Sequence, residues 1–367
     1  MNILIAPDKF KGSLSAREVA QHIAVGLRDV LPAAIITTLP VADGGEGTAE
    51  AIRDACDGER VTCASHDALG RPIEVEYAWL PSRATAVMEM SAAAGLWRIA
   101  PEARDLLRAT TFGVGEMMND AAGRGAHEIL LGLGGSATND GGLGMARSLG
   151  FRFLGDTEKE IETPGDLAKL TGILASDGRV FPKIIAAVDV RNPLLGPRGA
   201  TRTFGPQKGG EKAALRLLER GLERLAEIVR RDLGCDYRDA PGAGAAGGLG
   251  FGLMSFCGAT IKPGFEMVAE FIGLRAAIDK ADIVITGEGR LDEQTLEGKA
   301  PAGVARIARE LGKRVFAIVG TAGEGAAAPA LFDAVLTLAG GAVSPQEAIV
   351  RARPLLQERA RELAGMM

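Results

Sequence analysis

The chain has 367 residues, and its 42 Lys and Arg against 47 Asp and Glu give a formal net charge of −5 at pH 7. This mildly acidic balance creates no bulk positive field, so nucleic acid is not an expected partner. Hydrophobic residues at 47% and charged residues at 24% exclude a disordered chain or a coiled coil, and a globular chain of this length is expected to form two domains.

The first predicted elements alternate between strand and helix. Residues 2–6 have the pattern of an apolar strand, and Ser15 with Glu18 three residues later forms a capping box that begins a helix over residues 16–31. A β-rich run at 35–39 and a second helix at 49–55 follow. This βαβα order predicts parallel strands.

The middle of the chain has a different pattern. Residues 60–80 are typical of short alternating strands, and residues 87–90 form another apolar strand before a series of glycine-rich turns. Helices are predicted at 109–122, 143–149 and 211–232. Beyond them, short apolar strands at 283–286, 315–319 and 334–338 are separated by helical patterns, which again predicts parallel α/β units.

These elements predict an α/β fold in two domains. A doubly wound parallel-sheet domain is built from both chain ends, residues 1–70 and 275–367, and an α+β domain over residues 71–274 is inserted between them. The inserted domain carries a glycine-rich loop of the kind that binds phosphate. An active-site cleft is expected between the two domains.

Polar loops follow several predicted strands of the first domain. They cover residues 6–13, 43–47 and 287–293. Because the carboxyl ends of parallel strands lie at one edge of a sheet, these loops would bring Lys9, Lys11, Arg290 and several carboxylates around one space. Such a space would hold an anionic substrate together with a metal ion. For any one loop alone, a glycine turn with solvated charges is the alternative.

Glycines flank the acids of these loops. Glycine makes up 50 residues of the chain, about twice its average share. It follows Asp43 and lies on both sides of Glu46 and Glu288. Glycine on both sides of an acid lets the backbone approach a ligand closely, although it makes the loop itself less ordered. Mg²⁺ binds one or two carboxylates together with phosphate oxygens and water. The loops therefore predict a magnesium site that uses at least one of these acids.

A glycine-rich series covers residues 129–142 in the inserted domain, where a predicted strand runs through a turn toward a helix. Backbone N–H groups and the N-terminus of that helix would bind phosphate. No Gly-Lys-Ser/Thr follows, so this is not a Walker A loop. Residues 132–137 match GxGxxG/A, which is a weak signal alone, and residues 134–137 are similar to the phosphate loop of galactokinase-like kinases without its proline. A tight packing turn is the alternative.

Asp189 lies within the apolar, strand-like run at residues 186–194. A carboxylate in such a run must be paired or functional, because burying an unpaired charge is costly. Arg191 is two residues further and would share a strand face with Asp189. A catalytic role for Asp189 and a structural ion pair with Arg191 are both consistent with the pattern.

The cysteines and histidines indicate neither a disulfide framework nor a metal site. The four cysteines form no CxxC pair, and the three histidines have no second ligand at metal spacing. A reducing, cytoplasmic location is therefore expected. The start of the chain lacks the length and flanks of a signal peptide, and no apolar run reaches the roughly 18 to 20 residues of a membrane span. A membrane partner is not expected.

Several motifs together resemble the type I glycerate kinase family. They occur, in the order of that family, at residues 6–14, 40–48, 132–142, 189–196, 204–209 and 286–292. The resemblance implies a two-domain α/β enzyme that uses ATP to phosphorylate D-glycerate, usually at its 2-hydroxyl. Glycerate is therefore the expected small-molecule partner, with ATP as a cofactor beside the Mg²⁺ predicted from the acidic loops. The protein is expected to be a monomer or a small homo-oligomer.

Roles for individual residues follow as hypotheses. Lys9, Lys11 and Arg290 would hold the glycerate carboxylate or the transferring phosphoryl group. Asp189 would be the base for the substrate hydroxyl, with Asp43 and Asp292 as rivals. The predicted metal ligands are Asp43, Glu46, Glu288 and Asp292. The predicted contacts to ATP are Gly134, Gly135, Ser136, Ala137 and Thr138. The predicted contacts to substrate are Asp8, Ser13, Arg191 and Asn192.

Two other functions compete with the kinase. The GxGxxG/A match would fit a nicotinamide-dependent hydroxy-acid dehydrogenase, but it lies in the middle of the chain and no histidine falls in a plausible catalytic loop. An organic-acid binding protein without catalysis is the third interpretation, because α/β clefts also bind ligands that they do not convert.

Overall fold

A computed structural model describes residues 1–156, 159–175, 181–292, 300–323 and 331–367. The chain separates into two compact units. The first unit contains Met1–Asp43, Glu50–Cys56 and Phe265–Met367, and the second contains Gly44–Ala49 and Asp57–Gly264. Both ends of the chain therefore build the first unit, and the second unit is formed by the sequence between them.

The first unit is built on a five-stranded sheet in which every neighbouring pair is parallel. In spatial order its strands are β2 (Ile35–Thr38), β1 (Asn2–Ile5), β11 (Ile283–Thr286), β13 (Arg314–Val319) and β15 (Ala334–Thr337). The chain leaves β1 toward β2 on one side and returns as β11 on the other side. This reversal of strand order occurs at the centre of the sheet.

Helices cover both faces of this sheet, because successive residues of a buried strand point to opposite sides. Ile3 and Ile5 pack with α1 (Ala16–Val30) and α13 (Ala352–Ala364). Leu4 packs on the other face with α9 (Gly264–Phe271), α10 (Leu274–Asp279) and α11 (Ala300–Glu310). The predicted doubly wound parallel sheet is confirmed.

The helix α1 begins as predicted at a capping box. The Ser15 side chain accepts a hydrogen bond from the Glu18 N–H, and the Ser15 N–H donates to Glu18 Oε2 at 3.0 Å. Gly26 allows α1 to pack closely on α13, since a Cβ at this position would lie 2.3 Å from the Gln357 carbonyl oxygen. The remaining elements of the first unit are short: β12 (Arg290–Leu291), β14 (Thr321–Ala322) and α12 (Pro345–Val350).

The second unit is built on a six-stranded mixed sheet. In spatial order its strands are β10 (Thr260–Lys262), β9 (Lys183–Ala187), β6 (Glu128–Gly132), β5 (Thr85–Glu89), β4 (Pro72–Leu80) and β3 (Glu59–His66). The four strands from β10 to β5 are parallel, and β4 and β3 are added as an antiparallel meander. The smaller sheet pairs β7 (Arg152–Gly155) with β8 (Leu170–Leu174) in antiparallel orientation.

Helices of the second unit surround this sheet and share one apolar core with it. They are α3 (Ser91–Ala94), α4 (Phe112–Gly123), α5 (Leu143–Ser148), α6 (Ala200–Phe204), α7 (Lys212–Leu233) and α8 (Ala245–Cys257). The helix α2 (Thr48–Ala55) crosses the division between the units. Among the described helices, none combines the length and the apolar character of a membrane span.

The structure divides the chain at positions other than those predicted. Residues 57–70 were expected in the first domain, but β3 pairs with β4 along its whole length and belongs to the second unit. Residues 44–49 also belong there, because the Gly47 and Ala49 N–H groups donate to Glu89 Oε1 at the end of β5. Residues 265–274 belong instead to the first unit, where α9 covers the parallel sheet.

Candidate functional site

A cavity of about 420 Å³ lies in the first unit, at the carboxyl ends of its parallel strands. We call it the acidic pocket. It is lined by Asp8, Lys9, Phe10, Lys11, Ser13, Asp43, Glu288, Gly289, Arg290, Asp292, Gly320, Thr321, Leu338, Pro345, Ala348 and Ile349. The loops after β1 and β11 contribute most of its polar groups. Open α/β sheets bind ligands at the point where the strand order reverses, which here lies between these two strands.

Glycine brings the loops of the acidic pocket together. A Cβ on Gly287 would lie 2.1 Å from the Ile318 carbonyl oxygen, so only glycine permits this approach of the loop after β11 to β13. The Gly287 carbonyl oxygen accepts a hydrogen bond from the Asp8 N–H at 2.8 Å. Thr286 Oγ1 donates to the Ala6 carbonyl oxygen at 2.8 Å. The loops after β1 and β11 are therefore held as one surface.

Three carboxylates lie close together in this pocket. Burial and the charges of Asp43 and Glu288 raise the pKa of Asp8 to about 7, against the hydrogen bond from the Lys9 N–H and the Lys9 charge. That hydrogen bond joins Lys9 N to Asp8 Oδ1 at 2.6 Å. The mutual repulsion of these acids creates a place where a bound cation would be favourable.

Three cationic side chains line the same pocket: Lys9, Lys11 and Arg290. The Arg290 side chain is 71% exposed, and its Nε lies 3.5 Å from Asp292 Oδ2. An exposed pair of this kind contributes little to stability, so the guanidinium can turn to an incoming anion at small cost. Ser13 Oγ donates to the Ile349 carbonyl oxygen at 2.8 Å, which leaves its lone pairs to accept hydrogen bonds.

The acids predicted to bind metal are divided between the units. Asp43, Glu288 and Asp292 line the acidic pocket, whereas Glu46 belongs to the second unit. In the part of the chain that the structure describes, no three His, Cys, Asp or Glu side chains are grouped as metal ligands. Glu293, the last acid of the predicted loop, lies outside the described residues.

A second cavity, of about 340 Å³, lies in the second unit beyond the ends of β6 and β9. We call it the glycine-loop pocket. It is lined by Gly44, Gly45, Leu96, Leu133, Gly134, Gly135, Ser136, Ala187, Val188, Asp189, Val190, Phe204, Gln207, Lys208, Ala245 and Ala246. The Gly135 carbonyl oxygen accepts a hydrogen bond from the Leu96 N–H at 2.9 Å. The N–H groups of residues 134–136 bond to no other described residue and remain available to a ligand.

The N-terminus of α5 was predicted to bind phosphate, and this prediction is wrong. The Asp140 carboxylate accepts hydrogen bonds from the Gly142 and Gly144 N–H groups, each at 3.0 Å, and from the Thr111 N–H at 2.8 Å. Burial raises the pKa of Asp140, although these hydrogen bonds oppose the shift. The start of the helix is therefore already capped by an acid of the same glycine-rich series.

Three of the five residues predicted to contact ATP line the glycine-loop pocket: Gly134, Gly135 and Ser136. Ala137 and Thr138 are buried behind the loop. Thr138 Oγ1 has no hydrogen-bond partner among the described residues and no access to solvent. These two residues therefore support the conformation of the loop and do not form the surface that faces a ligand.

Asp189 lies in a different environment from the one predicted. The strand β9 ends at Ala187, so Asp189 is exposed in the following loop, where Oδ1 accepts a hydrogen bond from the Gly264 N–H at 2.9 Å. Arg191 is exposed as well, which removes the basis for a buried ion pair between them. Asn192 Nδ2 donates to the Arg198 carbonyl oxygen at 2.6 Å. Only Asp189 of these three residues lines the pocket.

Sequence reasoning missed Lys208. Its side chain is buried, and Nζ donates to Ser136 Oγ at 2.6 Å and to the Thr138 carbonyl oxygen at 2.7 Å. Burial lowers the pKa of Lys208 to about 7, against the opposing charge of Asp140. The sequence did contain a signal for this residue, because Lys208 lies in the motif at residues 204–209. That motif was used only as support for the family resemblance.

The chain is similar to known proteins along almost its whole length. A model of the glycerate kinase family matches residues 3–367, almost the whole chain. The chain belongs to the glycerate kinase family. The resemblance read from its motifs is confirmed, and this membership gives no support to the dehydrogenase or the non-catalytic binding protein.

Individual members of the glycerate kinase family are similar along most of their length. A glycerate kinase from Halalkalibacterium halodurans is 43% identical over 370 residues, covering 99% of this chain and 97% of that protein. The glycerate 2-kinase of Escherichia coli K12 is 44% identical over 325 residues, covering 88% and 85%. A crystal structure from Salmonella typhimurium LT2, of a protein assigned as a glycerate kinase 2, matches with a TM-score of 0.91 and 40% identity over 100% of this chain and 98% of that one.

Proposed function

We propose that the chain is an ATP-dependent glycerate kinase that phosphorylates D-glycerate at its 2-hydroxyl. The observation that carries this proposal is the acidic pocket, which combines three cations with neighbouring carboxylates in a chain that matches the glycerate kinase family from residue 3 to residue 367. The choice of the 2-hydroxyl rests on the similarity to the glycerate 2-kinase of Escherichia coli.

The acidic pocket would hold glycerate. A carboxylate ligand fits Lys9, Lys11 and Arg290, and the arginine can bind two carboxylate oxygens at once. The glycerate hydroxyls would meet the polar groups of the same loops, of which Asp8 and Ser13 are the nearest candidates. Phosphoryl transfer depends on positioning and charge neutralisation more than on covalent chemistry, so this set of side chains is sufficient.

The glycine-loop pocket would hold the phosphates of ATP. Gly134 and Gly135 are exposed, and their N–H groups with that of Ser136 offer donors to phosphate oxygens without a side chain in the way. Asp189 lines the same pocket and is the proposed base for the substrate hydroxyl, with Asp43 and Asp292 as rivals. Its side chain is exposed, so it is accessible to a ligand in this pocket.

The acidic pocket also fits Mg²⁺. The donors there are carboxylate oxygens, which this hard cation prefers, and Asp43 with Glu288 would bind it while phosphate and water complete the coordination. Burial and, after it, the charges of Asp43 and Glu288 raise the pKa of Asp8, and a divalent cation would counteract the part that is due to these charges. When bound, Mg²⁺ would neutralise phosphate charge. We propose that the enzyme works in the cytoplasm, where ATP is available, and that it is a monomer or a small homo-oligomer.

The test is incubation of the purified protein with D-glycerate, ATP and Mg²⁺, followed by phosphorus NMR of the products. We expect 2-phosphoglycerate and ADP. Formation of only the 3-phosphate would contradict the regiochemistry, and reduction of a nicotinamide cofactor would contradict the kinase. Tight binding of glycerate without turnover would instead support a binding protein.

A further inference from the structure

Lys208 is a buried lysine in the wall of the glycine-loop pocket. Lysine is almost never fully buried unless its charge is paired. Within the described residues, no carboxylate lies at ion-pair distance from its ammonium, and both of its hydrogen-bond acceptors are neutral oxygens. An ammonium in this position carries a charge that the described residues do not compensate.

The charged groups around Lys208 leave this charge unbalanced. Asp140 opposes the lowering of the Lys208 pKa, but its carboxylate is already bonded to Thr111 and to the start of α5. Asp189 lines the same pocket on an exposed loop, and Arg104 packs beside Gly209. Removing an ion from water is costly unless a partner repays the cost. An anion that entered the pocket would supply the missing partner.

The hydrogen bonds of Lys208 point to the location of that anion. An ammonium has three donors and no acceptor, so Ser136 Oγ must accept from Lys208. The hydroxyl proton of Ser136 then bonds to no other described residue, and neither does the third N–H of Lys208. These two protons and the N–H groups of residues 134–136 form one set of donors at the glycine-loop pocket.

We propose that Lys208 is the cationic phosphate-binding residue of the nucleotide site, acting through its own ammonium and through the Ser136 hydroxyl that it orients. This inference rests on the proposed function, because it takes the glycine-loop pocket to be the nucleotide site. In a Walker A loop the phosphate-binding lysine belongs to the glycine-rich loop itself. Here the proposed lysine belongs to a different motif, 72 positions along the chain from Ser136.

The proposal has a thermodynamic consequence. The pKa of Lys208 is near 7 in the protein without ligand, so a large fraction of the side chain is neutral above that pH. A phosphate chain beside Nζ favours the charged form and raises this pKa. Nucleotide binding must then take up protons, and the affinity must fall as the pH increases through and above 7.

The experiment is isothermal titration of the full chain with MgADP at pH 7.5, in buffers of different ionisation enthalpy. At this pH MgADP itself does not titrate, so we expect the wild type to take up a substantial fraction of a proton. Lys208→Met should remove this uptake and weaken binding by at least about tenfold at pH 6.5, with a smaller difference at pH 9. Lys208→Arg should keep the affinity and lose the proton uptake. The control Lys212→Met, at an exposed lysine of α7, should match the wild type.

The outcomes separate this proposal from a structural role. Proton uptake by the wild type that does not exceed the uptake by folded Lys208→Arg would overturn it. This comparison isolates Lys208, because any protons that Asp8 releases when Mg²⁺ binds are common to both proteins. A lower melting temperature of Lys208→Met with unchanged affinity and uptake would show that Lys208 only supports the loop. Failure of the wild type to bind MgADP would overturn the proposed function itself and this inference with it.

Discussion

Asp189 and Lys208 show that tertiary packing decides which polar residues are buried. Asp189 follows an apolar run and was expected to be buried, yet the strand ends two residues earlier and the side chain is exposed. Lys208 lies in the motif at residues 204–209, for which no burial was predicted, and its ammonium is buried against Ser136. Local pattern predicts which residues are polar loop residues, but tertiary packing decides which of them lose contact with water.

The exposure of Asp189 allows a clean test of its proposed role as the base. Asp189→Asn keeps the side-chain shape and should lower kcat by roughly 10² to 10⁴, the usual contribution of a positioned base. The melting temperature should hardly change, because the side chain is exposed and Asn can still accept the hydrogen bond from the Gly264 N–H. Asp239→Asn, at an exposed acid outside both pockets, is the control. A lower melting temperature with unchanged kcat would move the assignment to Asp43 or Asp292.

The three cations of the acidic pocket should each contribute to substrate binding. Lys9→Ala, Lys11→Ala or Arg290→Ala should lower kcat/KM by at least an order of magnitude, about 1.4 kcal/mol of transition-state stabilisation. Stability should change little, because these side chains lie at the surface of a cavity. Steady-state kinetics and thermal melts measure both, with exposed Lys280→Ala as the control. Wild-type kinetics in all three variants would refute the glycerate site.

The carboxylates of the same pocket should set the magnesium requirement. Removal of Mg²⁺ by a chelator should stop turnover, and Mg²⁺ should restore it. Asp43→Asn and Glu288→Gln should increase the Mg²⁺ concentration needed for half-maximal activity, because each removes a charged oxygen ligand. Titration of activity against free Mg²⁺ gives this value. If Glu46→Gln alone shifts it, the metal ligand lies in the second unit.

At the scale of the elements, patterns with a local cause are predicted well. The capping box of Ser15 begins α1 because both of its hydrogen bonds join residues three positions apart. The parallel strands of the first unit follow from the alternation of strand and helix. The sequence analysis predicted a phosphate site at the glycine series and did not predict that Asp140 caps α5. An acid just before the start of a helix is itself a capping signal.

Close packing of α1 on α13 predicts an unusual result for a glycine substitution in a helix. Gly26→Ala should destabilise the protein by roughly 1 to 3 kcal/mol, because the new Cβ would meet the Gln357 carbonyl oxygen. In an open helix the same change stabilises by about 1 kcal/mol or less. Gly123→Ala in α4, where no atom lies within 4 Å of the new Cβ, is the matched control. Chemical denaturation of both variants should give opposite signs, and equal signs would contradict this packing.

At the scale of the whole molecule, the discontinuous first unit was predictable because both chain ends show strand and helix alternation. The exact division was not, because it depends on pairings that the sequence does not encode locally. Residues 44–49 join the second unit through hydrogen bonds to Glu89, a residue forty positions away from Ala49. Such contacts are specified by the complete fold rather than by any motif.

The two units should respond separately to the two proposed ligands. Hydrogen exchange should show that MgADP protects residues 133–142 and 205–209, since binding stabilises the structure that holds the ligand. Glycerate should protect residues 6–14 and 286–292, which form the acidic pocket. The ligand-free protein is the reference. Protection of the glycine loop by glycerate alone would reverse the two assignments.

The central position of β1 has a consequence for synthesis on the ribosome. This strand is translated before both of its neighbours, and one of them, β11, is translated after the entire second unit. At about 5 to 20 residues per second, the apolar strand waits roughly tens of seconds for that partner. A pair of strands such as β1 and β2 is marginally stable alone. The nascent chain therefore exposes an unpaired, aggregation-prone edge while its middle folds, and this interval is where chaperones would be needed most.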